Sequence, residues 1–72
     1  MERPVDALNQ AKNKRVIVEL KNKKELIGTL KAFDMHINTV LDDAEERGDG
    51  KIVRKLGRVF IRGDMIVLIS PA

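Results

Sequence analysis

Asp34, His36 and Asn38 stand two residues apart in the segment FDMHIN, and their side chains suit the recognition of a flat ligand. On an extended backbone, residues two apart point to the same side, so these three would form one row. An imidazole can stack on a base, and a carboxamide offers a donor and an acceptor for hydrogen bonds to a base edge. The row therefore predicts a base-binding segment, although an Asn alone is most often a turn former that bonds its own backbone.

A second polar group, Arg62-Gly63-Asp64, interrupts the apolar segment FIRGDMIVLIS. Glycine accepts a positive φ without steric cost, so the tripeptide predicts a tight turn between two strands. A planar guanidinium can cover the second face of a stacked base, and a carboxylate can orient it from behind. If both turns lie at one rim, His36, Asn38, Arg62 and Asp64 would form one site. Their spacing in the sequence does not decide whether the two turns meet.

The chain has 72 residues, no cysteine and one histidine. A single domain of this size buries only about 60% of its unfolded surface, so it needs additional stabilisation. Disulfides and thiolate metal sites are excluded, and one chain cannot supply a zinc site of several histidines. We therefore expect oligomerisation, with no metal and no cofactor.

Charge, hydropathy and residue types are compatible with nucleic-acid binding and argue against a membrane protein, a secreted protein and an enzyme. The net charge is +3 with a pI near 9.5, which is compatible with nucleic acid. The longest apolar run, residues 65–69, is far below the ~20 residues of a membrane span. The N-terminal residues lack the apolar core of a signal peptide, so we expect a cytoplasmic protein. Hydroxyl side chains occur only at Thr29, Thr39 and Ser70, and no nucleophile accompanies His36, so we expect no enzyme.

The chain begins with a predicted short helix in RPVDALNQAKNK. Pro4 suits the first turn, Lys12 and Lys14 suit the C-terminal end, and an apolar stripe follows at Val5, Leu8 and Ala11. From residue 16 the apolar period changes to two, which predicts a hairpin of two strands. Gly28 inside the second strand predicts a sharp bend.

Three further strands are expected at residues 36–43, 52–61 and 65–70, with Pro71 ending the last one. The segment DDAEERGDGK between the first two of these predicts a charged turn that is solvated and, because carboxylates repel phosphates, away from any bound nucleic acid. The fold class is therefore mainly β, with a short helix on a small, strongly bent antiparallel barrel. The last strand is apolar on both faces, so it needs a second cover, either the helix or a neighbouring subunit.

At FDMHIN and Arg62-Gly63-Asp64 the sequence resembles the archaeal-type Sm-like (Lsm) proteins. The first Sm motif would span residues 16–46, with the interior Gly28, FDMHIN and LDDAEE. The second would span residues 55–69, with Gly57 and the Arg-Gly-Asp turn. The resemblance covers nearly the whole chain, and it implies one Sm-like domain over residues 1–72. The bacterial relative Hfq has a different second motif, so this chain is not similar to that branch.

The resemblance implies a fold and a function. The fold would be an N-terminal helix on a five-stranded Sm-like (SH3-like) barrel. Subunits would pair the fourth strand of one copy with the fifth of the next, which closes a homoheptameric ring. The ring would bind uridine-rich single-stranded RNA around its pore, in RNA processing or turnover.

The resemblance also implies a role for each site residue. His36 and Arg62 would stack on the two faces of the base, and Asn38 would recognise the uracil edge. Gly63 would bring its backbone close to the base, while Asp34 and Asp64 would hold Asn38 and Arg62.

Two other functions stay open at this point. One is a protein-interaction scaffold ring with only non-specific nucleic-acid binding, and the other is DNA binding by a small SH3-like barrel. DNA binding calls for a stronger basic face than a net charge of +3 provides. Lys21, Lys23 and Lys24 form a basic turn that suits either solubility or phosphate contact.

Overall fold

The protein, described here by a computed structural model, folds as one short helix followed by five antiparallel strands. The structure describes residues 2–72, so Met1, with which the expected domain begins, lies outside the described residues. The strands form one bent sheet in the order β4-β3-β2-β1-β5, which confirms the predicted fold class. The elements are α1 Pro4–Asn9, β1 Arg15–Leu20, β2 Glu25–Phe33, β3 Thr39–Gly48, β4 Lys51–Ile61, a 3-10 turn Gly63–Met65, and β5 Ile66–Pro71.

The core lies on the inner face of the bent sheet. Alternate positions of β1 and β2 are buried, as the two-residue apolar period predicts. The buried apolar residues are Val16, Val18, Leu26, Leu30, Leu41, Ala44 and Ile61. Leu8 and Ala11 pack against this cluster from the helical side, so the helix covers one end of the core.

β2 and β3 approach each other closely at Gly28. A Cβ at this position would lie 3.1 Å from the Leu41 Cβ and from the Asp42 carbonyl oxygen. The pairing of β2 with β3 shifts register between Ile27 and Thr29, next to this glycine. Gly28 therefore allows two backbones to approach closely, which agrees with the predicted bend.

The helix is shorter than the sequence suggested. It ends at Asn9, so Lys12 and Lys14 lie beyond its C-terminal turn, and the expected stabilisation by their charges does not apply. Within residues 2–72 no side chain caps its N-terminus, and a salt bridge of 3.0 Å joins Arg3 to Asp6 in the first turn. Its position therefore depends on packing, because so short a helix is unstable alone.

The predicted charged turn after the third strand is wrong. β3 continues through the acidic residues to Gly48, and only Asp49 and Gly50 form the turn to β4. The Glu46 carboxylate lies 2.9 Å from the Arg54 Nε and 3.9 Å from the Lys24 Nζ, and the residue is only 8% exposed. Cations on the neighbouring strand and turn offset these carboxylates, so the acidic segment can pair within a sheet.

The start of the third strand was also placed too early. Residues 36–38 belong to the loop, and Ile37 has a positive φ of 62°, which an extended strand does not accept. β5 in turn reaches Pro71 and does not end before it.

The two outer strands of the sheet, β4 and β5, expose apolar side chains. Phe60 on β4 is 78% exposed, and Val67 and Leu68 on β5 are 55% and 47% exposed. A sheet edge of this kind has unpaired backbone groups beside apolar side chains, which favours pairing with another strand. Within residues 2–72, no helix is long and apolar enough to cross a membrane.

Candidate nucleic-acid interface

The Asp34 carboxylate organises the loop between β2 and β3. Its Oδ1 accepts hydrogen bonds from the backbone N–H groups of His36 at 2.9 Å and Asn38 at 3.1 Å. Its Oδ2 accepts a third from the Asn38 Nδ2 at 3.0 Å. The Asp34 N–H also donates to the Asn38 carbonyl at 3.1 Å, which closes the loop at its base. One acidic side chain therefore fixes the backbone that bears His36 and Asn38.

These contacts lower the pKa of Asp34 below its ordinary value of 3.8. The largest cause is the hydrogen bond from the Asn38 side chain, and the backbone N–H groups of His36 and Asn38 act in the same direction. Partial desolvation opposes them but does not outweigh them. Asp34 is therefore ionised at neutral pH, where it acts only as an acceptor and holds the Asn38 amide nitrogen towards itself.

The Asn38 carboxamide joins the two turns that the sequence singled out. Its Oδ1 accepts a hydrogen bond from the Gly63 backbone N–H at 2.8 Å, while its Nδ2 donates to Asp34. The two ends of the carboxamide are therefore distinguished by their partners, which fixes its orientation. Among the described residues, one N–H and one lone pair of the carboxamide have no partner and can serve a ligand.

Gly63 lets the turn of residues 62–65 approach the loop of residues 34–38 closely. The prediction that this position needs glycine for a positive φ is wrong. Its φ does not lie in the left-handed region, where the glycines are Gly50 and Gly57. A Cβ at Gly63 would overlap the His36 carbonyl oxygen and lie 2.9 Å from the Ile37 carbonyl carbon. Any side chain here would push the two turns apart and break the bond to Asn38.

The two turns enclose an open depression of about 420 Å³. Its lining consists of His36, Asn38, Arg62, Gly63 and Asp64. Arg62 and Asp64 form a salt bridge of 3.4 Å at this rim, and both side chains are mostly exposed. The structure therefore brings together five of the six predicted site residues at the surface of one depression, and Asp34 supports Asn38 from behind.

Other groups singled out in the sequence lie elsewhere. The acidic residues of β3 take no part in the lining, and Asp42 is bound by the Arg58 guanidinium through two contacts of 2.6 and 3.0 Å. This pair lowers the pKa of Asp42 and raises that of Arg58. In the basic turn, Lys24 is directed to Glu46. Residues 2–72 contain no group of three or more His, Asp or Glu side chains placed to hold a metal ion.

Sequence reasoning missed one feature beside the depression. A mainly apolar cleft of about 290 Å³ lies next to it, bounded by Phe33, Val40 and Phe60, and Asp34 and Asn38 contribute to its wall. The available signal was the pair of phenylalanines, the only aromatic residues of the chain, at the ends of two strands.

Comparison with known proteins decides the family. The model of the family described as LSM domain matches residues 6–71. The chain belongs to the LSM family. An snRNP Sm-like protein of Methanococcoides burtonii is 56% identical over 69 residues, which cover 96% of each chain. The predicted resemblance to archaeal Sm-like proteins is confirmed, and this is not a known family of enzymes.

Solved LSM structures match the fold closely. The Sm protein of Pyrococcus abyssi, solved in complex with a uridine heptamer, superposes with a TM-score of 0.94 at 44% identity. The match covers 99% of this chain and 100% of that one. A heptameric archaeal Sm protein superposes with a TM-score of 0.86 at 39% identity, over 92% and 96% of the two chains.

Proposed function

We propose that this LSM chain forms a ring that binds uridine-rich single-stranded RNA at base pockets around its pore. The ring would act in RNA processing or turnover in the cytoplasm, as one Sm-like domain without enzymatic activity. The observation that supports this most directly is the Asn38 carboxamide, held between Asp34 and the Gly63 N–H in the wall of the rim depression.

In the proposed pocket, the base lies between the His36 imidazole and the Arg62 guanidinium. Stacking of this kind contributes about 1–3 kcal/mol per base and tolerates any base, because every base has a π-face. Asp64 would limit the rotation of Arg62 through the 3.4 Å salt bridge. Stacking therefore supplies affinity, and selectivity must come from the base edge.

The free N–H and lone pair of Asn38 supply that selectivity. Uracil presents its N3–H donor beside a carbonyl acceptor, which complements one donor and one acceptor of a carboxamide. Cytosine has an acceptor at N3 and a donor at C4, so the same docked position would place like groups against each other. Asn38 cannot rotate to correct this without losing its bonds to Asp34 and Gly63. Each buried polar group left unpaired costs about 1–3 kcal/mol.

The proposed ring is supported by the exposed outer strands β4 and β5 and by the heptameric relative. Pairing β4 of one copy with β5 of the next is a heterologous contact, which must close by rotation. A homoheptamer would repeat one weak pocket around the pore. A single RNA strand could then occupy several pockets at high effective concentration.

The test is fluorescence anisotropy with labelled oligouridine, oligoadenosine and oligocytidine of equal length, at near-physiological salt. We expect oligouridine to bind more tightly, with a preference that persists as salt increases. Equal binding of all three that disappears with salt would indicate phosphate attraction alone. That result would contradict the proposal and would favour a scaffold ring with non-specific nucleic-acid binding.

A further inference from the structure

We propose that a neighbouring copy of this chain completes the base pocket from behind, by covering the cleft beside Phe60 with the start of its β5. The pocket would then reach full affinity for a base only in the assembled ring. This inference rests on the proposed function, because it concerns the same base site and the same ring.

Asn38 lines two depressions. On one side lies the base depression with His36 and Arg62, and on the other lies the cleft with Phe60 and Ile61. Asp34, which accepts the 3.0 Å hydrogen bond from the Asn38 side chain, lines the cleft and not the base depression. Whatever fills the cleft therefore determines whether water reaches Asn38 from behind.

The cleft lacks a cover within residues 2–72. Phe60, at its outer margin, is 78% exposed although it is one of only two aromatic side chains in the sequence. It lies on β4, an outer strand that pairs only with β3. An exposed phenylalanine beside unpaired backbone groups and an apolar cleft indicates a surface that is buried in the working protein.

The position of a neighbouring β5 follows from the chain itself. Residues 62–65 connect the end of β4 to the start of β5, so both strand ends lie at the rim that bears the base depression. Rotation about a ring axis keeps that rim at one level in every copy. β4 of one copy therefore meets β5 of the next in antiparallel orientation, with strand end beside strand start.

This geometry brings Phe60 close to Val67 of the next copy. Phe60 is one residue before the end of β4, and Val67 is one residue after the start of β5. Val67 and Leu68 are both about half exposed, so two apolar surfaces that lack a cover in one chain would cover each other. A second copy of this chain is therefore the occupant that fits the cleft.

Covering the cleft would sharpen the base pocket. In a single chain, water can compete for the Asp34 carboxylate from the cleft side. An apolar cover excludes that water and strengthens the hydrogen bond that orients Asn38, because the local dielectric constant falls. Phe60 and Val67 thus act as positioning residues, although neither lines the base depression.

The test uses uridine 5′-monophosphate, which occupies one pocket and so removes the multivalent effect of RNA. Its dissociation constant per chain is measured by NMR for the wild-type ring and for Val67→Asp. Native mass spectrometry gives the assembly state of each protein, and circular dichroism gives its fold. We expect Val67→Asp to be a folded monomer that binds the nucleotide about tenfold more weakly or worse. A folded monomer with wild-type affinity would overturn the inference.

If Val67→Asp does not fold, Phe60→Ala tests whether the covered cleft raises nucleotide affinity. Its matched control is Ile52→Ala, which truncates another exposed apolar residue of β4, at the far end of the strand. In variants that still form rings, we expect about threefold to fivefold weaker nucleotide binding for Phe60→Ala and no change for Ile52→Ala. A Phe60→Ala ring with wild-type affinity, or equal losses in both variants, would overturn the inference.

Reciprocal linkage provides a second readout on the wild-type protein. If assembly improves the pocket, the nucleotide must stabilise the ring by the same factor. We expect uridine 5′-monophosphate to lower the protein concentration at which the ring dissociates, and cytidine 5′-monophosphate to have less effect. Dissociation that is independent of the uridine nucleotide would contradict the coupling. Failure of the wild-type ring to prefer uridine would instead contradict the proposed function, so the two failures are distinguishable.

Discussion

The two ends of the bent sheet both contain polar and charged side chains, but these side chains are paired in different ways. At the rim, the loop of residues 34–38 and the turn of residues 62–65 are polar, and their contacts converge on Asn38. At the far end, the β3–β4 hairpin has more charged residues, and two of its carboxylates have cationic partners. Arg58 pairs with Asp42, and Arg54 and Lys24 pair with Glu46. These paired charges neutralise one another, whereas the Asn38 carboxamide at the rim keeps hydrogen-bonding capacity that a ligand can use.

The difference shows that charge density is a poor guide to function in this chain. The hairpin has more charged residues than the rim loop, yet its shortest ion pairs, Asp42–Arg58 and Glu46–Arg54, are bound within the sheet. The rim is distinguished by a side chain whose orientation is fixed and whose remaining donor and acceptor are free. Breaking contacts at the rim should therefore impair binding, while breaking contacts in the hairpin should impair stability.

The largest expected effect is that of Gly63→Ala at the rim. Its Cβ would overlap the His36 carbonyl oxygen, so the two turns must separate and the Gly63–Asn38 hydrogen bond must break. We expect oligouridine affinity, measured by anisotropy, to fall by about 100-fold or more. Gly50→Ala in the hairpin turn is the control, because it introduces strain at a φ of 76° with no neighbour within 4 Å. Equal effects on binding would contradict the distinction between the two ends.

Arg62→Ala is expected to have the next largest effect. It removes one face of the stacking pair but no buried contact, because the Arg62 side chain is 83% exposed. Oligouridine affinity should fall by about tenfold, in line with the value of one stacking contact. Mass photometry should still show the assembled ring. A variant that is only monomeric would show that Arg62 belongs to the interface and not to the pocket.

Glu46→Gln tests the contribution of the hairpin ion pairs to stability, separately from RNA binding. It keeps the shape of a side chain that is mostly buried but removes the charge that Arg54 and Lys24 face. We expect the free energy of unfolding, from urea denaturation, to fall by about 1–2 kcal/mol. Oligouridine affinity of the folded ring should be unchanged. Weaker RNA binding without a loss of stability would place the hairpin in the RNA path.

The smallest expected effect is a pH dependence at acid pH that both regions share. The pKa values of Asp34 and Asp42 are lowered in the folded protein, so each carboxylate contributes stability above the ordinary value of 3.8. That contribution disappears as the pH falls below 3.8 towards the folded pKa. Relative to the wild type, Asp34→Asn and Asp42→Asn should each show a stability deficit that is constant from pH 5 to 7 and shrinks below 3.8.

Only Asp34→Asn should also reduce uridine preference at neutral pH. The Asp42 carboxylate contacts Arg58 outside the depression, so Asp42→Asn is the matched control. A loss of preference in both variants would mean that the charge of β3 contributes to base recognition, which contradicts the account.

The sequence predicted the rim better than the hairpin for a physical reason. Asp34, His36 and Asn38 act within one short loop, so their spacing carries much of the geometry. Glu46 pairs with Arg54, which is eight residues later on the next strand, and with Lys24, which lies in another hairpin. The order of charged residues in the sequence does not reveal these ion pairs. The acidic segment therefore resembled a solvated turn, and β3 was predicted to end too early.

The contacts between the two rim turns could not be predicted from the sequence either. Gly63 was correctly placed in a turn, but its requirement for glycine comes from the His36 carbonyl, which is 27 residues away in the chain. The start of β3 was misplaced because Ile37, a residue that favours strands, adopts a positive φ within the loop that Asp34 organises. The pairing of the two turns was suggested by the family resemblance and not by spacing.

The central claim is that the fixed Asn38 carboxamide selects uracil, and one ratio tests it most directly. The dissociation constants for oligouridine and oligocytidine are measured on assembled rings of the wild type and of Asn38→Ala, at near-physiological salt. The account predicts a clear uridine preference in the wild type and a ratio near one in the variant, which should retain its stacking residues. A uridine preference that survives in an intact Asn38→Ala ring would contradict it.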